Sequence, residues 1–393
     1  MRWVVERAVG PPRSTTMNTQ NSSTVENHIE LIKIAVDMHL RSYRVVRQID
    51  FSAPQPAQRF TPLQFYPWLG KQVALAARVV VCYEAGCFGY EPARRMQQMG
   101  VEVLVIAPQD WDEQGKKQVN DKLDAAVMCR RLSNYLCGDR KALSIVYIPS
   151  REEEAQRAQG RLREQLRLQL RRMQAMGRSL LLQREMLVRG RWWTAANWQR
   201  IKAQMPPWVL EQLEIWKKII VLTEQELHGL ETTLAAAAPK ELFVGEGELS
   251  HELMARELIT PHRFKNSRQV SNYYGLCPSE STTGESRRLG TITKHGSPRL
   301  RRLLIQLAWR VVIFQPEYRG LQRWKSVLAP GAPKTSGTAR KKAIVALARR
   351  LAVDLWRIDT GRVQPEELGL RLRPQVAQQK TSTIRNPRLM VTR

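Results

Sequence analysis

Apolar residues fall in short strand-like runs over the first third of the chain and take up a helical period further on. The run IELIKIAVDM (29–38) alternates and ends near Asp37, and SYRVVRQIDF (42–51) follows, so the pair predicts a hairpin. Residues 61–76 read as a helix, ARVVVCYEA (77–85) as a short apolar strand ending at Glu84, and 91–99 as a helix. VEVLVIAP (101–108) is a further strand and 117–137 a further helix. Strands alternating with helices predict an α/β domain over 29–148, with functional residues at strand ends.

From 151 the pattern is purely helical. Leu162, Leu166, Leu170 and Met173 fall on one helical face with arginine-rich flanks. A Trp- and Pro-containing break at 192–208 precedes a second helix over roughly 207–236. Three readings follow for the 151–240 region: an antiparallel helical hairpin, a coiled-coil surface that pairs with a partner, or a basic helix laid on nucleic acid. A third region, 246–330, is rich in Gly, Ser, Thr and Arg. In 331–393, Ile344, Leu347, Leu351 and Leu355 make the stripe of a basic amphipathic helix, followed by a polar tail from 372. Residues 1–28 carry Pro, Ser and Asn clusters without periodicity and read as a disordered lead, with Met17 as an alternative start.

Charge narrows the function. Sixty-three Lys and Arg against 36 Asp and Glu leave a net +27 over 393 residues, which calls for a polyanionic partner, most simply nucleic acid. The five cysteines are scattered and form neither a disulfide framework nor a zinc spacing. No apolar run approaches the ~18 residues of a membrane span. The N-terminus carries charges where a signal peptide needs its apolar core. These features predict a reduced, cytoplasmic chain.

Two clusters carry candidate chemistry. Asp37 and Glu84 end apolar strands, and Asp121 and Asp124 project at i, i+3 from one helical face. Converging carboxylates are hard oxygen donors that suit Mg²⁺, in the two-metal arrangement used on phosphodiesters. The second cluster is YYGLCPSESTTGESRRLGTITKHGSPRLRRLL (273–304). Between Ser281 and Arg302 it holds six basic residues, Arg287, Arg288, Lys294, Arg299, Arg301 and Arg302, against one Glu. Its glycines let backbone approach phosphate, and its hydroxyls are candidate nucleophiles; alternatively it is a loop that only grips nucleic acid.

These two clusters together resemble the "one-ten" (IS-one-ten) family of bacterial insertion-sequence transposases. Asp37, Glu84, Asp121 and Asp124 look like its DEDD tetrad, and HRFKNSRQVSNYYGLCPSESTTGESRRLGTITKHGSPRLRRLLIQLAW (262–309) looks like its C-terminal transposase domain. The resemblance implies a RuvC-like (ribonuclease-H-like) domain, an α-helical coiled-coil insertion and a small, mainly helical C-terminal domain. It implies a nucleoid-associated recombinase with Mg²⁺ as cofactor, donor and target DNA as substrates, and a structured non-coding RNA from the element bridging them. A homo-oligomer, dimer or tetramer, would bring together acids and hydroxyl that stand about 160 residues apart in the chain. The family nucleophile is a Ser directly before Gly, usually within Ser-Ser-Gly; here the aligned triplet is Thr282-Thr283-Gly284. Thr283 inherits the role by position and Ser281 is the nearest serine, without the crowding methyl. Two other classes stay open: a RuvC-like structure-specific nuclease that uses water, and a non-catalytic nucleic-acid-binding protein.

Overall fold

The computed structural model describes residues 29–108, 121–283, 286–332 and 336–373; the lead, the start at Met17 and the tail from 374 lie outside them, as do the side chains of 121–123 and 287. The chain divides into two compact units, 1–148 and 149–393.

The first unit is α/β. Strand β1 (Ile29–Met38) pairs antiparallel with β2 (Tyr43–Ile49), which carries the short β3 (Gln58–Phe60). Helix α1 (Pro62–Leu75) starts at a Thr61–Gln64 capping box and leads to β4 (Ala76–Glu84), parallel to β1. Helix α2 (Glu91–Gln98), β5 (Glu102–Ile106) and α3 (Asp121–Leu136) complete it, and the five-stranded mixed sheet has the order β3-β2-β1-β4-β5. Both faces are covered. Side-chain alternation sends Ile32, Ile34 and Val36 to one face, with Phe65, Leu69 and Met96. Ala35, Val46, Val80 and Cys82 go to the other, under Ala125, Met128, Cys129 and Leu132 of α3. Central strands buried on two sides explain why β1 carries five consecutive buried residues, Ile32 to Val36.

The second unit is mainly helical. Helix α4 (Arg151–Leu182) and α6 (Pro207–Ala236) run antiparallel, since Arg163 pairs with Glu231 and Arg184 stacks on Trp208. Of the predicted stripe, Leu170 is buried inside this hairpin, Leu166 and Met173 pack against it, and Leu162 is half exposed. That stripe therefore closes the hairpin within the chain instead of forming an intersubunit face. The predicted break contains a helix, α5 (Ala195–Gln204). Trp192, Trp193, Trp198 and Ile201 are buried there and plug the hairpin's end, and a Cβ on Gly177 of α4 would collide with the Trp192 ring. Tryptophans read as a break thus belong to the hairpin's own core.

Beyond the hairpin lie α7 (Glu248–Leu258), α8 (Ser267–Tyr273), the ribbon β6 (Pro278–Thr283) and β7 (Ser286–Ile292), α9 (Pro298–Phe314), the single-turn α10 (Lys325–Leu328) and α11 (Gly337–Asp359). The stripe read from the sequence on α11 lies in the core: Ile344, Leu347 and Leu351 are buried with Leu300, Leu304 and Val311 of α9, and Leu355 packs beside them. Each such leucine contributes about 1.5–3 kcal/mol by leaving water. Among the described residues no helix is long and apolar enough to cross a membrane.

Candidate functional site

The acids are placed by the sheet. Val36 of β1 pairs with Tyr83 of β4, so Asp37 and Glu84 stand one residue further along, at neighbouring ends of parallel strands. Alternation also fixes their side. Asp37 follows Ala35, and Glu84 follows Cys82, onto the face that α3 covers.

Helix α3 is anchored lengthwise on that face. Lys33 is buried in mid-strand, and its Nζ donates to the Asp50 carbonyl at 2.8 Å and to Ser133 Oγ at 3.0 Å. Cys129 lies against the Ala35 backbone. Four helical residues rise about 6 Å, as do two strand residues at about 6.6 Å. Continuing that match from Ala35 to Asp37 carries the helix from Cys129 to about Asp124. Asp37, Glu84 and Asp124 are each half-buried, and His39 Nε2 sits 3.1 Å from Asp37 Oδ2. The fourth member, Asp121, opens α3, and its side chain lies outside the described set. All four are oxygen donors of the kind Mg²⁺ prefers, yet among the described residues no group of three or more Asp, Glu, His or Cys is gathered closely enough to hold an ion.

The hydroxyl cluster is a β-ribbon, not a loop. Ser281 pairs with Arg288, Thr282 with Arg287 and Thr283 with Ser286, leaving Gly284 and Glu285 between the strands and outside the described residues. Directly paired residues share a face, and neighbours along a strand do not. Ser281, Thr283, Ser286 and Arg288 therefore share one side, while Thr282 stands on the other, where its Oγ1 donates to Glu280 at 3.1 Å. Ser279 Oγ donates to the Thr291 carbonyl at 3.1 Å. No hydrogen bond among the described residues occupies the exposed hydroxyls of Ser281 and Thr283.

Several residues read as phosphate-binding also have a place in the fold. Gly275 has φ +64°, and a Cβ there would stand 2.8 Å from the Gly296 nitrogen. A Cβ on Gly296 would strike the carbonyls of Asn272 and Tyr273, and one on Gly290 would strike Ser279 Oγ. These glycines let the chain pass close to itself. Arg301 donates to the carbonyls of Tyr274 (3.3 Å) and Lys294 (3.4 Å). Arg299 and Arg302 both donate to Glu164 of α4. Burial would raise the Glu164 carboxyl, but the hydrogen bonds from Arg302 and Arg299 outweigh it and hold it below the usual carboxylate range. Arg288 and Lys294 remain exposed, and the Arg287 side chain lies outside the described set.

Residues 245–322, which run from before α7 through the ribbon and α9, match the family described as "Transposase IS116/IS110/IS902 family". The chain is an insertion-sequence transposase, similar to that family over this region. A Sinorhizobium fredii protein named as a transposase, y4rJ, is 29% identical over 308 residues, 71% of this chain and 76% of its own. A Pseudomonas aeruginosa protein named as a family 20 transposase is 27% identical, covering 70% of this chain and 82% of its own. The transposase for insertion sequence element IS1328 of Yersinia enterocolitica is 25% identical, covering 74% and 87%.

One residue of the transposase's acidic face escaped the sequence reading. Lys33 pins α3 to β1 and so sets how far along β1 the Asp124 turn falls. Its signal was present: a lysine amid five buried positions of a strand needs a buried partner. Ser133, 100 residues away, carries no mark that names it as that partner.

Proposed function

We propose that this DNA transposase cleaves and rejoins DNA by transesterification, with Asp37, Glu84, Asp121 and Asp124 as a DEDD set on a RuvC-like domain and a ribbon hydroxyl as nucleophile. The observation that carries this reading is the placement of Asp37 and Glu84 on neighbouring strand ends, on one face, at the level of the Asp124 turn. The sheet order, with β1 central, antiparallel to β2 and parallel to β4, supports the ribonuclease-H-like assignment. Magnesium held by those carboxylates would polarise a DNA phosphate and steady the oxygens that gain charge.

The chain's own groups supply the rest. The Thr283 oxygen bonds to phosphorus, its proton leaves, and the bond to the departing deoxyribose oxygen breaks as that oxygen takes up a proton. One phosphoester replaces another, so rejoining needs no outside energy source. Arg288, on the Thr283 side of the ribbon, offers a guanidinium to the phosphate oxygens. The element's structured non-coding RNA is the guide that bridges donor and target; a net +27 gives the chain the charge to hold RNA beside DNA. In a plasmid assay with purified protein, recombination is expected only when Mg²⁺ and RNA from the element's end are both present. Product formed in EDTA would remove the metal from the scheme, and product formed without RNA would remove the guide.

The assembly is a homo-oligomer paired through the outer face of α6. Val209, Leu213, Ile220 and Leu227 are buried in the hairpin, but Trp208, Ile215, Ile219 and Leu222 form a second, exposed stripe with coiled-coil spacing. Ile215→Glu with Leu222→Glu is expected to reduce the mass seen by light scattering to that of one chain while circular dichroism stays unchanged. An unaltered oligomeric mass would rule the stripe out.

A further inference from the structure

A cleft within the second unit is built of arginine. It lies among α4, α7 and α9, has a volume of about 120 Å³, and is lined by seven arginines against two glutamates, Glu164 and Glu257. A cleft of that size takes small groups such as phosphates. Gly160 of α4, where a Cβ would stand 3.3 Å from Leu253 of α7, lets the two helices close one end of it.

The arginines fall into two sets. Arg157 bonds Glu257 (3.3 Å), Arg163 bonds Glu231 (2.6 Å), Arg256 bonds Glu252 (2.6 Å), and Arg299 and Arg302 share Glu164. Arg167 and Arg171 line the same cleft, and among the described residues neither has a hydrogen bond or ion pair. Arg163, Arg167 and Arg171 lie at i, i+4 and i+8, so their side chains leave α4 on one face at intervals of about 5–6 Å. Arg167 is half-buried. That burial, and then the positive charges of Arg163 and Arg171, hold its guanidinium below its ordinary range despite Glu231. A half-buried cation among like charges costs free energy in the isolated chain and is relieved by an anion from outside. Glu164 shows what geometry the cleft accepts: two planar oxygens in the forks of two arginines.

We propose that Arg167 and Arg171 form a site for the phosphodiester backbone of a nucleic-acid strand, one that reads charge and not sequence. The site rests on the reading that the chain grips nucleic acid, and nothing else in its mechanism. An acidic protein segment is the competing anion, and the net +27 with the transposase assignment favours nucleic acid.

The test is fluorescence anisotropy of the full chain with labelled duplex DNA, single-stranded DNA and hairpin RNA of matched length, from 50 to 200 mM salt. Replacing both residues (Arg167→Gln, Arg171→Gln) is expected to lower the salt slope by about 1.8 on duplex or about 1.4 on single strands, for whichever nucleic acid occupies the cleft. The loss of affinity across that salt range then becomes roughly tenfold smaller. Lysine at both positions keeps the slope. Because the two arginines have no hydrogen bond or ion pair among the described residues, the Gln variant melts no lower than the parent. Arg172→Gln, outside the cleft, serves as the control. Parent binding with an unaltered slope in the double variant, or one matched by Arg172→Gln, overturns the cleft alone. Absence of salt-dependent binding by the parent overturns the nucleic-acid reading as well. Displacement of the probe by polyglutamate as readily as by an equally charged oligonucleotide assigns the cleft to acidic protein, and also overturns it.

Discussion

Asp37→Asn, Glu84→Gln and Asp124→Asn are each expected to abolish recombination while the protein melts at or slightly above the parent temperature. Each exchange keeps the side chain's shape and removes one negative oxygen donor. If those oxygens hold Mg²⁺, the loss takes away several kcal/mol of transition-state stabilisation, on the order of a thousandfold or more in rate. Folding should not suffer, because Asp37 and Glu84 crowd like charges onto adjacent strand ends. The Asp37–His39 contact is a surface one, with the His39 side chain 52% exposed, and adds little. Plasmid recombination and a thermal melt on the same preparations check both halves. Near-normal recombination in any two of the three variants would remove the acids from the chemistry, and a large fall in melting temperature would mark them as structural.

Thr283→Val should lose recombination entirely, whereas Thr283→Ser should keep or raise it. Valine has nearly threonine's shape without the hydroxyl, and serine has the hydroxyl without the crowding methyl. The ribbon narrows the rivals. Thr282 stands on the opposite side with its hydroxyl given to Glu280, and Ser279 gives its own to a carbonyl. Ser281 shares the face of Thr283, so Ser281→Ala is the informative companion and should remain active. Mass spectrometry of the DNA-linked peptide decides between them. A covalent adduct on Ser281 would move the nucleophile by two residues. Full activity of Thr283→Val with no adduct anywhere would favour water as the nucleophile, and with it a nuclease.

What could be read from the chain alone was what repeats locally. The strand runs that end at Asp37 and Glu84 and the α11 stripe of Ile344, Leu347 and Leu351 follow from side-chain period, which every window displays. The ribbon was missed because SESTTGESRRLG is polar on both sides, and an exposed two-stranded ribbon has no buried face to imprint an alternation. Tertiary structure decided which features of the dense segment serve the fold. Arg299 and Arg302 look free in sequence, yet they bond a glutamate 135 and 138 residues away; Gly275 and Gly296 look like phosphate-loop glycines, yet they mark where the backbone meets itself. It also decided that Arg167 and Arg171, unremarkable members of an arginine-rich helix, line a cleft with no hydrogen bond or ion pair among the described residues. The reason is common to all of these: periodicity is set within a few residues of the chain, whereas the partner of a charge or the neighbour of a glycine is chosen by packing between distant segments.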